Sequence, residues 1–241
     1  MRNSYFQFKQ FTIYQDRCAL KVSTDSCVFG AWMAKKVAGF QFHLSGCLDI
    51  GAGSGLLMLM LAQQFPGSID GIEIDRESFE QATENIAGSA WYNRLRLFHS
   101  DVKLFSLPHR YDLIISNPPF FEGDLKSTNK RHNFARHNDG LSLHDLLEVS
   151  TRNLTEKGML AVLLPYHRTA HFELLAANYG LYVSDKLMIR QSIQHPYFRT
   201  ALLLNRENLG IIRKEELVIR QAPGVYSPAF IALLKDYYLH L

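Results

Sequence analysis

Apolar and polar positions change their period several times along the chain. Cys47-Leu-Asp-Ile-Gly51 is a short apolar run ending in glycines, the pattern of a buried strand. Leu56 to Phe65 follows with good helix formers, and Pro66-Gly67 ends it. Ser68 to Ile74 reads as a second strand, Arg76 to Ala90 as a helix, Arg94 to His99 as a third strand and Tyr111 to Ser116 as a fourth. Beyond a polar stretch come a helix over Leu143 to Leu154, a fifth strand over Gly158 to Leu164 and a helix over Tyr166 to Tyr179. Leu181 to Ile189 and Arg199 to Asn205 then read as two strands with no helix between them. Lys214 to Leu241 reads as a return strand and a terminal helix.

Repeated β-α alternation predicts an α/β protein with a parallel sheet and helices on both faces. The last β-β connection is too short for a parallel crossover, so one strand must be reversed. The expectation is a seven-stranded, mostly parallel sheet with one antiparallel strand near an edge. Residues 1–45 would form an N-terminal extension packed on the core, and residues 46–241 the main domain.

Composition narrows the class without deciding function. Hydrophobic residues make up 47% and charged residues 20%, which excludes collagen-like, coiled-coil and disordered chains. The three cysteines form no C-x-x-C pair, so neither a disulfide framework nor a zinc site is expected, and a reducing compartment fits. The histidines show no metal-ligand spacing, and no metal is expected. No apolar run approaches the ~18 residues of a membrane helix, and the first residues lack the apolar core of a secretory signal. The expected location is the cytoplasm. A net charge of +3 permits an anionic partner but does not demand one.

Chemistry concentrates at the predicted strand ends. Asp49-Ile-Gly51-Ala-Gly53-Ser-Gly55 closes the first strand and opens a helix. Glycines let a ligand approach the backbone closely, and a helix N-terminus offers N–H groups. The spacing is not the G-x-G-x-x-G of dinucleotide sites, since Leu56 stands where the third glycine would be. Asp49 would repel a pyrophosphate and attract an ammonium. Glu73 ends the second strand, where a carboxylate can accept from ribose hydroxyls, and Asp101 follows the third, where it could accept from an adenine amino group. An adenosine carrying an amino acid suits all three acids, which points to S-adenosyl-L-methionine. Each acid alone has an ordinary use: Asp49 in the turn, Glu73 or Asp75 in solvent, Asp101 as a helix cap.

Ser116-Asn-Pro-Pro-Phe-Phe121 follows the fourth strand at the same edge. The prolines stop the strand and stiffen the loop. The Asn117 side-chain oxygen and the Pro118 carbonyl can both accept from one planar NH2, with Pro119 fixing the turn and Phe120 stacking on the ring that bears the amine. Such an amine has a delocalised lone pair, and two acceptors that bend its hydrogens out of plane return that pair to nitrogen. Asn117 also borders the cofactor. A turn after a strand is the ordinary use of N-P and P-P pairs.

Beyond this loop, Lys126, Lys130, Arg131, His132, Arg136 and His137 surround Phe134. Cations beside an aromatic suit a phosphate backbone and a splayed base, although a solvated polar loop has the same look.

The glycine loop and Asn117–Phe120 resemble those of class I S-adenosylmethionine-dependent methyltransferases of the amino-methylating group. Phe8-Lys-Gln-Phe11, Asp16-Arg-Cys-Ala-Leu-Lys-Val22, Thr24-Asp25, Gly30-Ala-Trp32, Ala135-Arg-His137, Leu217-Val-Ile-Arg220, Tyr226-Ser227 and Tyr237-Tyr238 extend the likeness along most of the chain. They resemble the bacterial tRNA1(Val) adenine-37 N6-methyltransferase family. That resemblance implies a Rossmann-like fold, a tRNA partner and a role for Thr24 at the methionine end of the cofactor; a monomer is expected. Phe120 departs from the Tyr of many relatives, which removes any use of a phenol hydroxyl. A protein-glutamine N5-methyltransferase presents the same planar amine, but those enzymes carry a sizeable N-terminal substrate domain and a tetrapeptide ending in Tyr. A DNA adenine methyltransferase would need a target-recognition domain, and none is found. A non-catalytic RNA- or nucleotide-binding module on the same fold would have no use for the amine clamp.

Overall fold

The computed structural model describes residues 4–40, 44–118 and 140–241. A short hairpin, β1 (Tyr5–Gln7) and β2 (Thr12–Tyr14), leads into helix α1 (Thr24–Ala38). Strands and helices then alternate: β3 (Gly46–Ile50), α2 (Leu56–Ala62), β4 (Ser68–Glu73), α3 (Arg76–Ala87), β5 (Leu95–His99) and β6 (Tyr111–Ser116). After residue 140 come α4 (Leu143–Asn153), β7 (Leu154–Pro165), α5 (Thr169–Asn178), β8 (Tyr182–Arg190) and β9 (Tyr197–Asn205). The chain closes with β10 (Arg213–Val218), a small hairpin of β11 (Arg220–Ala222) and β12 (Val225–Tyr226), and α6 (Pro228–Leu234).

The central sheet has eight strands in the order β10-β8-β9-β7-β6-β3-β4-β5. Only β9 runs against the rest: it pairs antiparallel with β7 and β8, while β10 lies parallel to β8. The seven expected strands are all present, and the reversed one is third from an edge. The eighth is the return strand β10, which covers the otherwise open edge of β8.

Alternation along the buried strands sorts side chains onto two faces. Leu113, Ile115, Ala161, Leu163, Ala201 and Leu203 point to the layer of α1, α2 and α6. Ile114, Leu160, Val162, Leu202 and Leu204 point to α4 and α5. Residues of the N-terminal hairpin pack into the first layer. Phe8 and Ile13 are buried in it beside Phe230 and Leu234 from the other end of the chain. Phe8 lies 6.0 Å from the Tyr238 ring, and the Lys9 N–H donates to the Tyr237 carbonyl at 2.8 Å. Burying each such phenylalanine contributes roughly 1.5–3 kcal/mol.

Helix α1 forms because its ends are well served. Ser23 accepts from the Ser26 N–H, Asp25 sits in the first turn, and Lys35 and Lys36 sit in the last, each charge favourable to the helix dipole. Its apolar stripe, including Cys27, Phe29 and Trp32, packs on α2 and α6. No helix among the described residues is long and apolar enough to cross a membrane.

Candidate functional site

From β3 the chain builds outward through β4 and β5, then returns to place β6 and β7 on the other side of β3. Crevices form at the carboxyl ends of strands on either side of such a switch. Here a cavity of about 780 Å³ opens there, walled by the glycine loop, the start of α1, Asn117-Pro118 and the ends of β7 and β9.

Gly51 and Gly53 have φ of +75° and +57°, conformations that a side chain would strain. Both line the cavity, and a Cβ on Gly51 would meet nothing within 4 Å. The space beside them opens into the cavity. Gly55 does different work. A Cβ there would stand 3.6 Å from Ala82, so it lets the loop turn into α2 against α3 and does not line the cavity.

Four of the loop amides already have partners inside the protein. Gly51 and Ala52 donate to the Ile72 carbonyl, Gly55 to the Ala52 carbonyl, and Gly53 to the Glu73 carboxylate at 2.7 Å. At these four positions the loop offers a ligand shape, not donors. Glu73 is buried, accepts a second N–H from Asp75 at 2.8 Å, and thereby latches the loop to the end of β4. Burial pushes its carboxyl above the ordinary range, with those amides pulling it back. Each oxygen keeps a lone pair for a further donor.

Asp49 lies on the buried strand β3 and is fully buried. Neither of its oxygens has a hydrogen-bond partner. Burial raises its carboxyl to about 8, the nearby Glu73 adds to the rise, and the Met58 backbone only partly opposes it. A buried acid left without a donor is costly unless something cationic completes it.

Asn117 and Pro118 are on the cavity wall. The Asn117 Nδ2 donates to Ser26 Oγ at 2.9 Å, and Ser26 Oγ is in turn 2.8 Å from Ser23 Oγ. With its amide nitrogen held by Ser26, the carboxamide keeps its oxygen as the acceptor. Pro119 and Phe120 lie outside the described residues, as do Lys126, Lys130, Arg131, His132, Phe134, Arg136 and His137.

Five residues expected at the cofactor are not on the wall: Thr24, Asp49, Gly55, Glu73 and Asp101. Thr24 is exposed at the start of α1, where Ser23, Asp25 and Ser26 line the cavity instead. Asp101 accepts from the Lys103 N–H at 2.9 Å and lies 3.6 Å from its ammonium, the ordinary use of an acid at a turn. Sequence reasoning missed Ser26 and the Asp25–Arg199 ion pair, whose Nε–Oδ2 distance is 2.7 Å and which ties α1 to β9 across the cavity. Ser23-Thr-Asp-Ser26 before an apolar run is a helix-start signal, but nothing in it points to Asn117.

This wall suits S-adenosylmethionine on structural grounds. The Cβ-free cradle at Gly51 and Gly53, the unpartnered acid beneath it and the Glu73 latch are what a cationic amino acid joined to a nucleoside needs. Among the described residues, no group of three or more His, Cys, Asp or Glu is placed to hold a metal ion.

Comparison with known proteins agrees. The family model for the methyltransferase small domain matches residues 37–180. A Dyadobacter fermentans protein named tRNA1(Val) (adenine(37)-N6)-methyltransferase is 41% identical over 99% of this chain and 98% of its own. A relative of the same name from Trichodesmium erythraeum is 41% identical over 99% of each chain. Among solved structures, a "predicted O-methyltransferase" from Agrobacterium tumefaciens shares the fold at a TM-score of 0.65 and 16% identity, over 88% of this chain and 96% of that one. The ribosomal protein L11 methylase of Lactobacillus delbrueckii does so at 0.53 and 19%, over 74% and 78%. The fold likeness says little about substrate, but identity sustained along almost the whole chain does more, and it places this protein in the tRNA1(Val) (adenine(37)-N6)-methyltransferase family.

Proposed function

We propose that this chain methylates N6 of an adenine in tRNA, adenine 37 of tRNA1(Val), with S-adenosylmethionine as donor. One observation carries the reading: Asn117 and Pro118 share a cavity of about 780 Å³ with the glycine loop. When bound, the cofactor supplies a methyl group made electrophilic by a sulfonium. The chain has to hold it, orient an amine toward it and keep that amine's lone pair available. Gly51, Gly53, Asp49 and Glu73 would hold the cofactor. Asn117 Oδ1 and the Pro118 carbonyl would accept the two amine hydrogens, drawing them away from the ring plane. Positioning of this kind supplies a large part of such a barrier reduction. A methylated amine that still carries its extra proton is acidic and needs no strong base.

A base inside an anticodon loop has to turn out of its stack to reach such a cavity. The segment Lys126–His137 is the proposed phosphate contact. An extension of residues 1–45 on a methyltransferase domain of 46–241, acting as a monomer without metal in the cytoplasm, completes the proposal. The test is transfer of labelled methyl to unmodified tRNA, with the product nucleotide mapped. Asn117→Ala should lower kcat by about 100-fold or more, the scale of losing one aligned polar contact in a transition state, with tRNA binding retained. Label on protein and none on RNA would end the reading and favour a glutamine substrate.

A further inference from the structure

The cavity has an aromatic rim that the methyl-transfer reading leaves unused. Ser116, the last residue of β6, pairs with Val162 of β7. Strand β7 continues three residues further to Pro165, roughly 10 Å at ~3.3 Å per residue. Tyr166 follows at once, and Tyr197 opens β9. Both rings line the cavity, above the level at which Asn117 leaves the sheet. They are neighbours, with centroids 5.1 Å apart and planes inclined by 41°.

The inner member of the pair is fixed from several strands. The Tyr197 hydroxyl is hydrogen-bonded to Glu216 on β10. The Arg190 guanidinium of β8 lies 5.2 Å from its ring centre and is ion-paired with Glu216 at 3.0 Å. The outer member, Tyr166, is 40% exposed. Its backbone is stiff, following Pro165 and accepting from the Thr169 N–H in a single tight turn. The two arginines beside the pair already have acids: Arg190 has Glu216, and Arg199 has Asp25. Arginines neutralised in this way are poorly suited to holding phosphate. A flat, exposed, backed ring is well suited to a nucleobase.

We propose that Tyr166, backed by Tyr197, is the stacking platform for the nucleobase adjacent to the methylated one in single-stranded RNA. The inference rests on the RNA reading above and adds a contact to it. When one base turns inward to Asn117, its neighbour passes the rim and loses its stacking partner. The tyrosine face replaces that partner, and it tolerates any base because every base has a π face.

The experiment uses the full chain and an anticodon stem-loop RNA with 2-aminopurine beside the target adenine, on the 5′ and 3′ sides in turn. Wild type and Tyr166→Phe should quench the fluorophore on one side. Tyr166→Ala should abolish that quenching and raise the KM for RNA about tenfold, the scale of one lost base–aromatic stack, with kcat at saturating RNA and the KM for cofactor unchanged. Wild-type quenching and KM in Tyr166→Ala, with methyl transfer to RNA intact, would overturn the platform and leave the function standing. Absence of transfer to RNA by wild type would remove both.

Discussion

Two aspartates in this sheet are equally hidden and chemically opposite. Asp185 on β8 is 0% exposed, and so is Asp49 on β3. Around Asp185 every valence is answered: Lys36 at 2.7 Å, Arg213 at 2.8 and 2.9 Å, and the Ser184 hydroxyl at 2.8 Å. Burial raises its carboxyl, but these partners outweigh it and pull it to about 2. Around Asp49 no side chain answers and the Met58 backbone opposes burial only in part, so the carboxyl is lifted to about 8. The first site is complete without a ligand and joins α1 to the edge strands. The second has no such partners, and in the reading proposed above a cationic ligand completes it. Full satisfaction fits a structural acid, and we propose the unpartnered Asp49, two residues before Gly51, as a binding one.

The largest expected effect follows from the signs of these shifts. The Asp49 carboxyl holds its proton in the folded chain up to about pH 8, while in the unfolded chain it loses it near 3.8. Between those values the folded state binds more protons, so stability falls as pH rises and levels off above about 8. Asp49→Asn removes that drift. It should raise stability over wild type by an amount on the order of 5 kcal/mol at pH 8 that shrinks toward zero near pH 4. Cofactor affinity should fall in the same variant. Denaturant titrations across that range read the effect, and a difference constant with pH would mean Asp49 is already ionised and partnered.

Asp185→Asn should act in the opposite direction. Its carboxylate contributes stability above the unfolded value of 3.8, and that contribution is lost as pH falls toward about 2. The expected loss at pH 7 is about 2–3 kcal/mol, or roughly 5–10 °C in Tm. This is less than for a fully buried pair, because the Arg213 side chain is 66% exposed and Lys36 keeps Glu215 at 2.8 Å. Methyl transfer at low temperature should be unchanged. Loss of transfer with stability intact would reverse the roles assigned to the two acids.

Local signals were legible in the sequence, and distant pairings were not. Apolar runs such as Gly158–Leu164 and Arg199–Asn205 announce buried strands, and glycines or prolines after a strand announce a ligand edge. Strand β7 nonetheless starts at Leu154, because the polar Thr155-Glu156-Lys157 pass through its exposed beginning. Strand β10, Arg-Lys-Glu-Glu-Leu-Val, is mostly charged, yet it pairs in the sheet because Arg213 finds Asp185 and Glu216 finds Arg190. Asp49 and the glycine loop could be singled out, but not the use of the loop amides, which depends on where Ile72 and Glu73 end β4. Ser26 and Asn117 are 91 positions apart, and Asp25 and Arg199 are 174 apart, so only the fold brings each pair together.

Ser26 gives the smallest effect and the finest test of the open site. An asparagine carboxamide can turn either face to a cavity, and only one face accepts. If the Ser26 hydroxyl proton goes to Ser23, 2.8 Å away, the Ser26 oxygen is left to take the Asn117 amide hydrogen at 2.9 Å. The Asn117 oxygen then faces the incoming amine. Ser26→Ala removes that bias, so kcat should fall about fivefold, the equivalent of one net hydrogen bond of ~1 kcal/mol. The KM values for cofactor and tRNA should hold, since Ser26 orients Asn117 and does not carry either substrate. Ser26→Thr keeps a hydroxyl at the position and should restore most of the rate. Equal kcat in wild type and Ser26→Ala would show that Asn117 is oriented from elsewhere, and that the start of α1 closes the cavity without setting its chemistry.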